Sequence, residues 1–73
     1  MTIKIVGVAL LYQKREKDHI VNTVRCYLDD FVEGEDEFFY KANAERSFND
    51  DPTLVGSKIA AWQIVYGESD GLG

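Results

Sequence analysis

The chain has a single cysteine, Cys26, and a single histidine, His19, among its 73 residues. One cysteine excludes an intramolecular disulfide, and the two residues cannot supply the four ligands of a structural zinc site. We expect Cys26 to lie inside a strand among apolar neighbours, where a thiol is inert packing. Nucleophilic catalysis by Cys26 and His19 is therefore disfavoured.

Other catalytic and binding motifs are also missing. Gly56-Ser57-Lys58 lacks the upstream glycine of a phosphate-binding loop. A calcium loop that starts at Asp29 fails because Phe31 and Tyr40 stand where oxygen ligands are required. A chain of 73 residues also leaves little room for a cleft between paired carboxylates. We therefore expect no enzyme activity, no catalytic residue, no metal and no cofactor.

No apolar run reaches the roughly 18 residues of a membrane span. The opening Met1-Thr2-Ile3-Lys4 carries no signal-peptide pattern, so we expect a cytoplasmic protein. The length allows one domain with a thin core, which we place at residues 1–66, followed by a flexible tail at 67–73.

The apolar pattern predicts an α+β fold of the order β-β-α-β, with one helix packed on a small three-stranded antiparallel sheet. A nearly continuous β-branched run predicts a first strand, in which Ile5 and Leu11 share one face and Val8 and Leu10 the other. Gly7 marks a bulge or a close approach within that strand. The predicted elements are a strand at 2–13, a polar loop at 14–19, strands at 20–28 and 58–66, and a helix at 36–48.

The segment 36–48 is the least clear. Phe38, Phe39 and Ala42 lie about one turn apart and are expected to face the sheet, although alternate residues of the segment also fit a strand. Asn49-Asp50-Asp51-Pro52-Thr53 predicts a turn that ends the helix. The pattern leaves the strand order open. One helix would cover such a sheet only partly, and its apolar edges would be open to pairing with a partner strand.

Charge is divided unevenly along the chain. Residues 1–28 carry a net +3 and residues 29–73 a net −8, which gives −5 overall and suggests an electrostatic partner. Net acidity argues against general nucleic-acid binding. The densest acidic segment is 29–37, which is either a solvated turn with acids at a helix start or a partner-binding surface. Its candidate contact residues are Asp29, Asp30, Glu33, Glu35, Asp36 and Glu37.

A basic group, Lys14, Arg15 and Lys17, falls in the predicted loop, where Glu16 and Asp18 dilute it. We interpret it as a solvated loop, or alternatively as a finger that touches RNA or polymerase once the domain is held elsewhere. Four aromatic residues could stack bases, but in a small domain we expect them in the core. They are Phe38, Phe39, Trp62 and Tyr66.

The chain as a whole resembles a small bacteriophage transcription regulator that binds host RNA polymerase. The resemblance spans the full length, from MTIKIVGVALLYQKREKDHIVNTVRCYLDD at the start to KIAAWQIVYGESDGLG at the end, without a diagnostic motif. It implies inhibition of initiation by interference with the sigma factor, and antitermination during elongation. It also implies contact with the amino-terminal region of the β′ subunit close to the β flap, in the host cytoplasm. Nucleic acid would be met only indirectly, as nascent RNA.

Two other functions are compatible with the residues. An acidic protein that imitates DNA could occupy another nucleic-acid-binding protein of the host through the same segment 29–37. A small enzyme could form a pocket by oligomerisation, although we expect a monomer that does not bind membranes.

Overall fold

A computed structural model describes residues 2–69, with side chains described for residues 3–68. The predicted α+β fold of order β-β-α-β is confirmed. Its elements are β1 (Thr2–Glu16), β2 (His19–Leu28), α1 (Glu37–Asp50), a short 3-10 helix (Pro52–Leu54) and β3 (Lys58–Ser69).

The three strands form one antiparallel sheet of order β2-β1-β3. The central position of β1 explains its nearly continuous apolar sequence, because a central strand is bonded on both edges and has less exposed surface. The sequence did not predict this order, because the apolar pattern of a strand does not show which other strands lie beside it.

The predicted loop at 14–19 is wrong: the hairpin turn contains only Lys17 and Asp18. Glu16 pairs with His19, and Arg15 pairs with Ile20, so both strands continue to the turn. Lys17 has φ of 52°, a left-handed conformation that lets two residues reverse the chain. Charged residues are tolerated in β1 here because the hairpin end is exposed to water.

Gly7 marks a bulge, as predicted. Ile5 pairs with Tyr66 and Gly7 with Val65, which leaves Val6 as the extra residue of β1. A Cβ on Gly7 would collide with the carbonyl oxygen of Tyr27 in the neighbouring strand. Because of the bulge, the simple alternation predicted for β1 is wrong: Ile5 packs against the same core as Val8.

The core lies between one face of the sheet and α1. The residues of α1 that face it are Tyr40, Ala44 and Phe48, spaced at intervals of four, and they differ from the predicted set. Phe38 is 66% exposed, Ala42 is exposed and Phe39 is half-buried. The core residues are Val8, Leu10, Tyr12, Tyr40, Ala44, Phe48, Leu54 and Ile64.

The ends of α1 and β3 each differ from the predicted bounds by a few residues. Asp36 is the N-cap of α1 rather than its first residue, and its carboxylate accepts a hydrogen bond of 3.1 Å from the Phe39 amide. The turn predicted at 49–53 starts too early, because Asn49 and Asp50 belong to α1; the chain turns at Asp51, and Pro52 begins the 3-10 helix. The predicted tail at 67–73 starts too early, because Gly67–Ser69 belong to β3, and the rest of it (70–73) lies outside the described residues.

Candidate functional site

The acidic segment 29–37 connects β2 to α1, and two of its carboxylates stabilise the fold. The Asp29 carboxylate accepts hydrogen bonds from the Asn43 side chain at 3.1 Å and from the Asp30 amide at 2.9 Å. Asp36 caps α1. Asp29 and Asp36 thus serve the fold, whatever else they contact.

The other four acids of the segment, Asp30, Glu33, Glu35 and Glu37, are exposed. The loop that carries them is anchored by Tyr40, whose hydroxyl donates to the Val32 carbonyl at 3.0 Å and accepts from the Val32 amide at 2.8 Å. Phe31 and Val32 are 47% and 39% exposed on the same loop. The segment therefore presents carboxylates and apolar groups to solvent in a fixed conformation.

The basic residues Lys14, Arg15 and Lys17 do not form one patch. Lys14 and Arg15 are consecutive in β1, so their side chains point to opposite faces of the sheet. Lys14 also lies 3.7 Å from the Glu16 carboxylate. Lys17 occupies the turn itself.

The structure does not bring His19 and Cys26 together. Both are exposed, and they lie seven positions apart on β2, which is about 23 Å along an extended strand. The expectation that Cys26 is buried packing is wrong: Cys26 is exposed, and no element within residues 2–69 covers its side of the sheet. Among residues 2–69, no group of three or more His, Cys, Asp or Glu side chains is arranged to hold a metal ion.

The four aromatic residues expected in the core divide into two pairs. Trp62 and Phe39 are half-buried against the core, but Phe38 and Tyr66 are 66% and 56% exposed, so that expectation is wrong for them. The Trp62 ring lies 5.8 Å from the Phe38 ring, and Lys41 Nζ lies 5.4 Å from the Trp62 ring centroid. This cluster stabilises the exposed side of α1 over β3.

A polar cluster ties β2 to the end of α1. Asp51 accepts hydrogen bonds from the Thr53 hydroxyl at 2.7 Å, the Thr53 amide at 2.9 Å and the Arg25 guanidinium at 2.7 Å. The Thr53 hydrogen bonds, with a smaller contribution from Arg25, hold the pKa of the Asp51 carboxyl below its usual range. This cluster has a structural role, since each member contacts another part of the same chain.

The second face of the sheet is exposed, as expected for a sheet that one helix covers only partly, although the sequence did not show which residues lie on it. We define the open face as the side-chain rows between Gly7 and Arg15 that point away from α1. Its exposed apolar residues are Leu11 (36% exposed), Ile20 (57%), Val24 (61%) and Leu28 (80%). A groove of about 250 Å³ lies on it between Val24 and Ala61, with Leu11 and Ala9 in its floor. The predicted number of elements already indicated an uncovered face, because one helix cannot cover both faces of a three-stranded sheet.

On the opposite face, a second concavity separates β2 from α1, since the helix packs mainly on β1 and β3. This cleft of about 300 Å³ is lined by Tyr27, Asp29, Asn43, Arg46, Ser47 and Asp50, among others. Acidic and basic side chains are mixed there, so it offers no charge of one sign to a ligand.

The chain matches no protein-family model, no curated protein and no solved structure. In the part of the chain that the structure covers, no helix is long and apolar enough to cross a membrane. The function is therefore argued from the chain's own residues and from the resemblance given above.

Proposed function

We propose that this protein binds bacterial RNA polymerase in the host cytoplasm, inhibits initiation by interfering with the sigma factor and suppresses termination during elongation. The resemblance of the whole chain to a small phage transcription regulator is the reason for naming polymerase. The proposed contact is the amino-terminal region of β′ near the β flap. Such a function needs only binding energy, so the proposal assigns no catalytic step.

The observation that carries the proposal is the separation of exposed charge along the sheet. The acidic segment 29–37 follows the last residue of β2, Leu28, whereas Lys17 lies in the turn just before its first residue, His19. Ten residues of extended strand place the two about 30 Å apart. A domain docked through its acids would thus hold Lys17 well away from the docking site.

The acidic segment supplies the docking step. Asp30, Glu33 and Glu35 are exposed on a loop that Tyr40 anchors, so little ordering is required when they meet a basic surface. Complementary charge raises the association rate and selects the orientation of approach. A standard interface takes about 800 Å² per partner, which is a feasible share of the 5460 Å² surface of this chain.

The first test is binding of the full chain to purified RNA polymerase over a range of salt concentrations. Asp30→Lys, Glu33→Lys and Glu35→Lys together should weaken binding about tenfold or more, which is about 1.4 kcal/mol, and flatten the salt dependence. Asp29 and Asp36 are kept because they stabilise the loop and the helix.

The matched control reverses three exposed acids elsewhere, with Asp18→Lys, Asp50→Lys and Glu68→Lys, which changes the net charge equally. Equal weakening by both triple variants would show that only net charge matters and would remove the docking role of segment 29–37. A wild-type chain that binds no polymerase would overturn the proposed function.

The second test is terminator readthrough in reconstituted elongation. Lys17→Gln should leave polymerase binding within about twofold while lowering readthrough, because Lys17 would act on emerging RNA rather than in docking. Lys14 and Arg15 are left unchanged because both line a concavity at the hairpin end of the sheet. Readthrough equal to that of the wild type would remove the RNA contact.

A further inference from the structure

We infer that the open face of the sheet is a docking site for a partner segment that carries aliphatic and acidic side chains. This deepens the proposed function, on which it rests for the identity of the partner. It adds a surface distinct from the acidic segment 29–37 and specifies the chemistry that the surface would recognise.

The first argument is exposure. Leu11 pairs with Val24 on one side and with Ala61 on the other, so the three side chains form one row across the sheet. The next row toward the start of β1 contains Ala9 with Cys26 and Gln63. Both described helices lie on the other face of the sheet, so neither covers these rows. Val24 and Leu28 are 61% and 80% exposed, although a sheet normally buries its apolar face against a second layer.

The second argument is shape. Gly7 has no side chain and those of Ala9 and Ala61 are small, whereas Val24 and Leu28 on β2 have larger aliphatic side chains. The result is the groove of about 250 Å³ beside Val24, with Leu11 at its floor. Large aliphatic side chains of a partner would fill this groove and remove apolar surface from water.

The third argument is the positive charge at the hairpin end of the open face. Arg15 of β1 pairs with Ile20 of β2 on the open face. Lys58 of β3 pairs with Gln13, which lies in the adjacent row of the same face. Arg15 and Lys58 both line a third concavity at the hairpin end of the face, together with Gln13, Lys14, Ile20 and Gly56. Among the described side chains of the open face there is no carboxylate, so the two cations have no acid beside them there. A partner segment with carboxylates next to its aliphatic residues would satisfy them.

Two other occupants fit less well. Trp62 also lines the groove, but it pairs with the core residue Leu10 and packs against the core on the α1 side. No other aromatic residue lies in the rows of the open face to stack a base, which single-stranded nucleic acid would need. A second copy would bring an identical face with Arg15 and Lys58 and no acid of its own to pair with them. Both occupants are outcomes of the test.

The first arm compares two valine-to-glutamate variants of the full chain in binding to purified RNA polymerase. Val24→Glu places a carboxylate in the groove and should weaken binding about tenfold or more. Val55→Glu is the matched control, because Val55 is 82% exposed in the loop before β3, and its binding should stay within about twofold. If the wild type binds and Val24→Glu binds equally well, the open face is not the docking site.

The second arm uses the native thiol, because Cys26 is the only cysteine and lies on the open face. Saturating polymerase should slow alkylation of Cys26 about tenfold or more. A variant with Cys26→Ser and Glu45→Cys carries its thiol on α1 instead and should show no comparable protection. Equal protection at both positions, or none at Cys26, would overturn the inference.

The third arm does not require polymerase. Two synthetic peptides with the same leucines, one with glutamates and the other with lysines, are titrated into the labelled full chain and followed by NMR. The glutamate peptide should shift the amides of Leu11, Val24 and Ala61 and bind about tenfold more tightly than the lysine peptide. Shifts on the α1 face, or no difference between the peptides, would overturn the inference.

The arms separate the two ideas. A wild-type chain that binds no polymerase removes the proposed function, and the peptide arm then decides the surface alone. Oligonucleotide binding that shifts the same amides would show that RNA occupies the open face. A dimer mass that Val24→Glu abolishes would show that a second copy of this chain occupies it. Either result would overturn the inference that the occupant is an acidic, aliphatic partner segment.

Discussion

At the scale of single residues, Asp51 connects three parts of the chain. It ends α1, its carboxylate accepts two hydrogen bonds from Thr53, and it contacts Arg25 of β2. The sequence identified this aspartate only as part of a turn. The contact with Arg25, 26 positions away, depends on the antiparallel order of the sheet and could not be read from local pattern.

The lowered pKa of Asp51 makes its contribution to stability dependent on pH. A carboxyl whose folded pKa lies below its unfolded value stabilises the fold fully above the unfolded pKa, and this is lost as pH falls through the folded pKa. Asp51→Ala should therefore lower the melting temperature near neutral pH, and its difference from the wild type should shrink as the pH falls below the ordinary range of an aspartyl carboxyl. Glu35→Ala, which removes an exposed carboxylate of the acidic loop, is the control and should leave the melting temperature near neutral pH almost unchanged. A difference for Asp51→Ala that is equal at all pH values would contradict this account.

At the scale of elements, the orientation of α1 depends on Tyr40. Its ring is buried, and its hydroxyl makes both hydrogen bonds to Val32, so one side chain packs the helix and anchors the acidic loop. This selects the face with Ala44 and Phe48 as the buried one and leaves Phe38 at the margin against Trp62.

Replacement of Tyr40 by phenylalanine removes the hydroxyl and keeps the ring. The Val32 amide then loses its partner, and the Val32 carbonyl keeps only the 3.4 Å hydrogen bond from the Glu35 amide, so Tyr40→Phe should cost about 1–3 kcal/mol of unfolding free energy. The hydrogen exchange of the Val32 amide should also become faster. Tyr66→Phe is the control, because Tyr66 is 56% exposed, and it should change stability by less than about 0.5 kcal/mol. Equal effects of the two substitutions would show that the Val32 hydrogen bonds contribute nothing.

The elements themselves were largely predictable, because each has a pattern that follows from local chemistry. The apolar run of β1 and the turn at Pro52 gave their approximate bounds. The buried face of α1 was not predictable, since Phe38, Phe39 and Tyr40 are consecutive and hydrophobicity alone cannot rank them. The sequence likewise grouped Lys14 with Arg15, and only the extension of β1 to Glu16 places them on opposite faces.

At the scale of the whole molecule, the two faces of the sheet differ in how much they contribute to stability. Val8 is 1% exposed under α1, and Val24 is 61% exposed on the open face, although both are β-branched residues within strands. The fold is therefore stabilised mainly from one side, and the other side is available for a partner.

The same substitution on the two faces tests this difference. Val8→Thr buries a hydroxyl in the apolar core and should cost about 1–3 kcal/mol in urea unfolding. Val24→Thr keeps the β-branched shape at a solvated position and should change stability by less than about 0.5 kcal/mol. A large loss for Val24→Thr would mean that the open face is covered in solution, contrary to the structure.

The long hairpin gives the molecule Cα extents of 50 × 17 × 17 Å, close to a rod. A rod diffuses more slowly than a sphere of equal mass, so the 8.3 kDa chain should elute early from a sizing column, at the volume of a larger globular protein. Elution volume alone would thus overstate the mass, and sedimentation equilibrium, which does not depend on molecular shape, is the measurement that counts the chains.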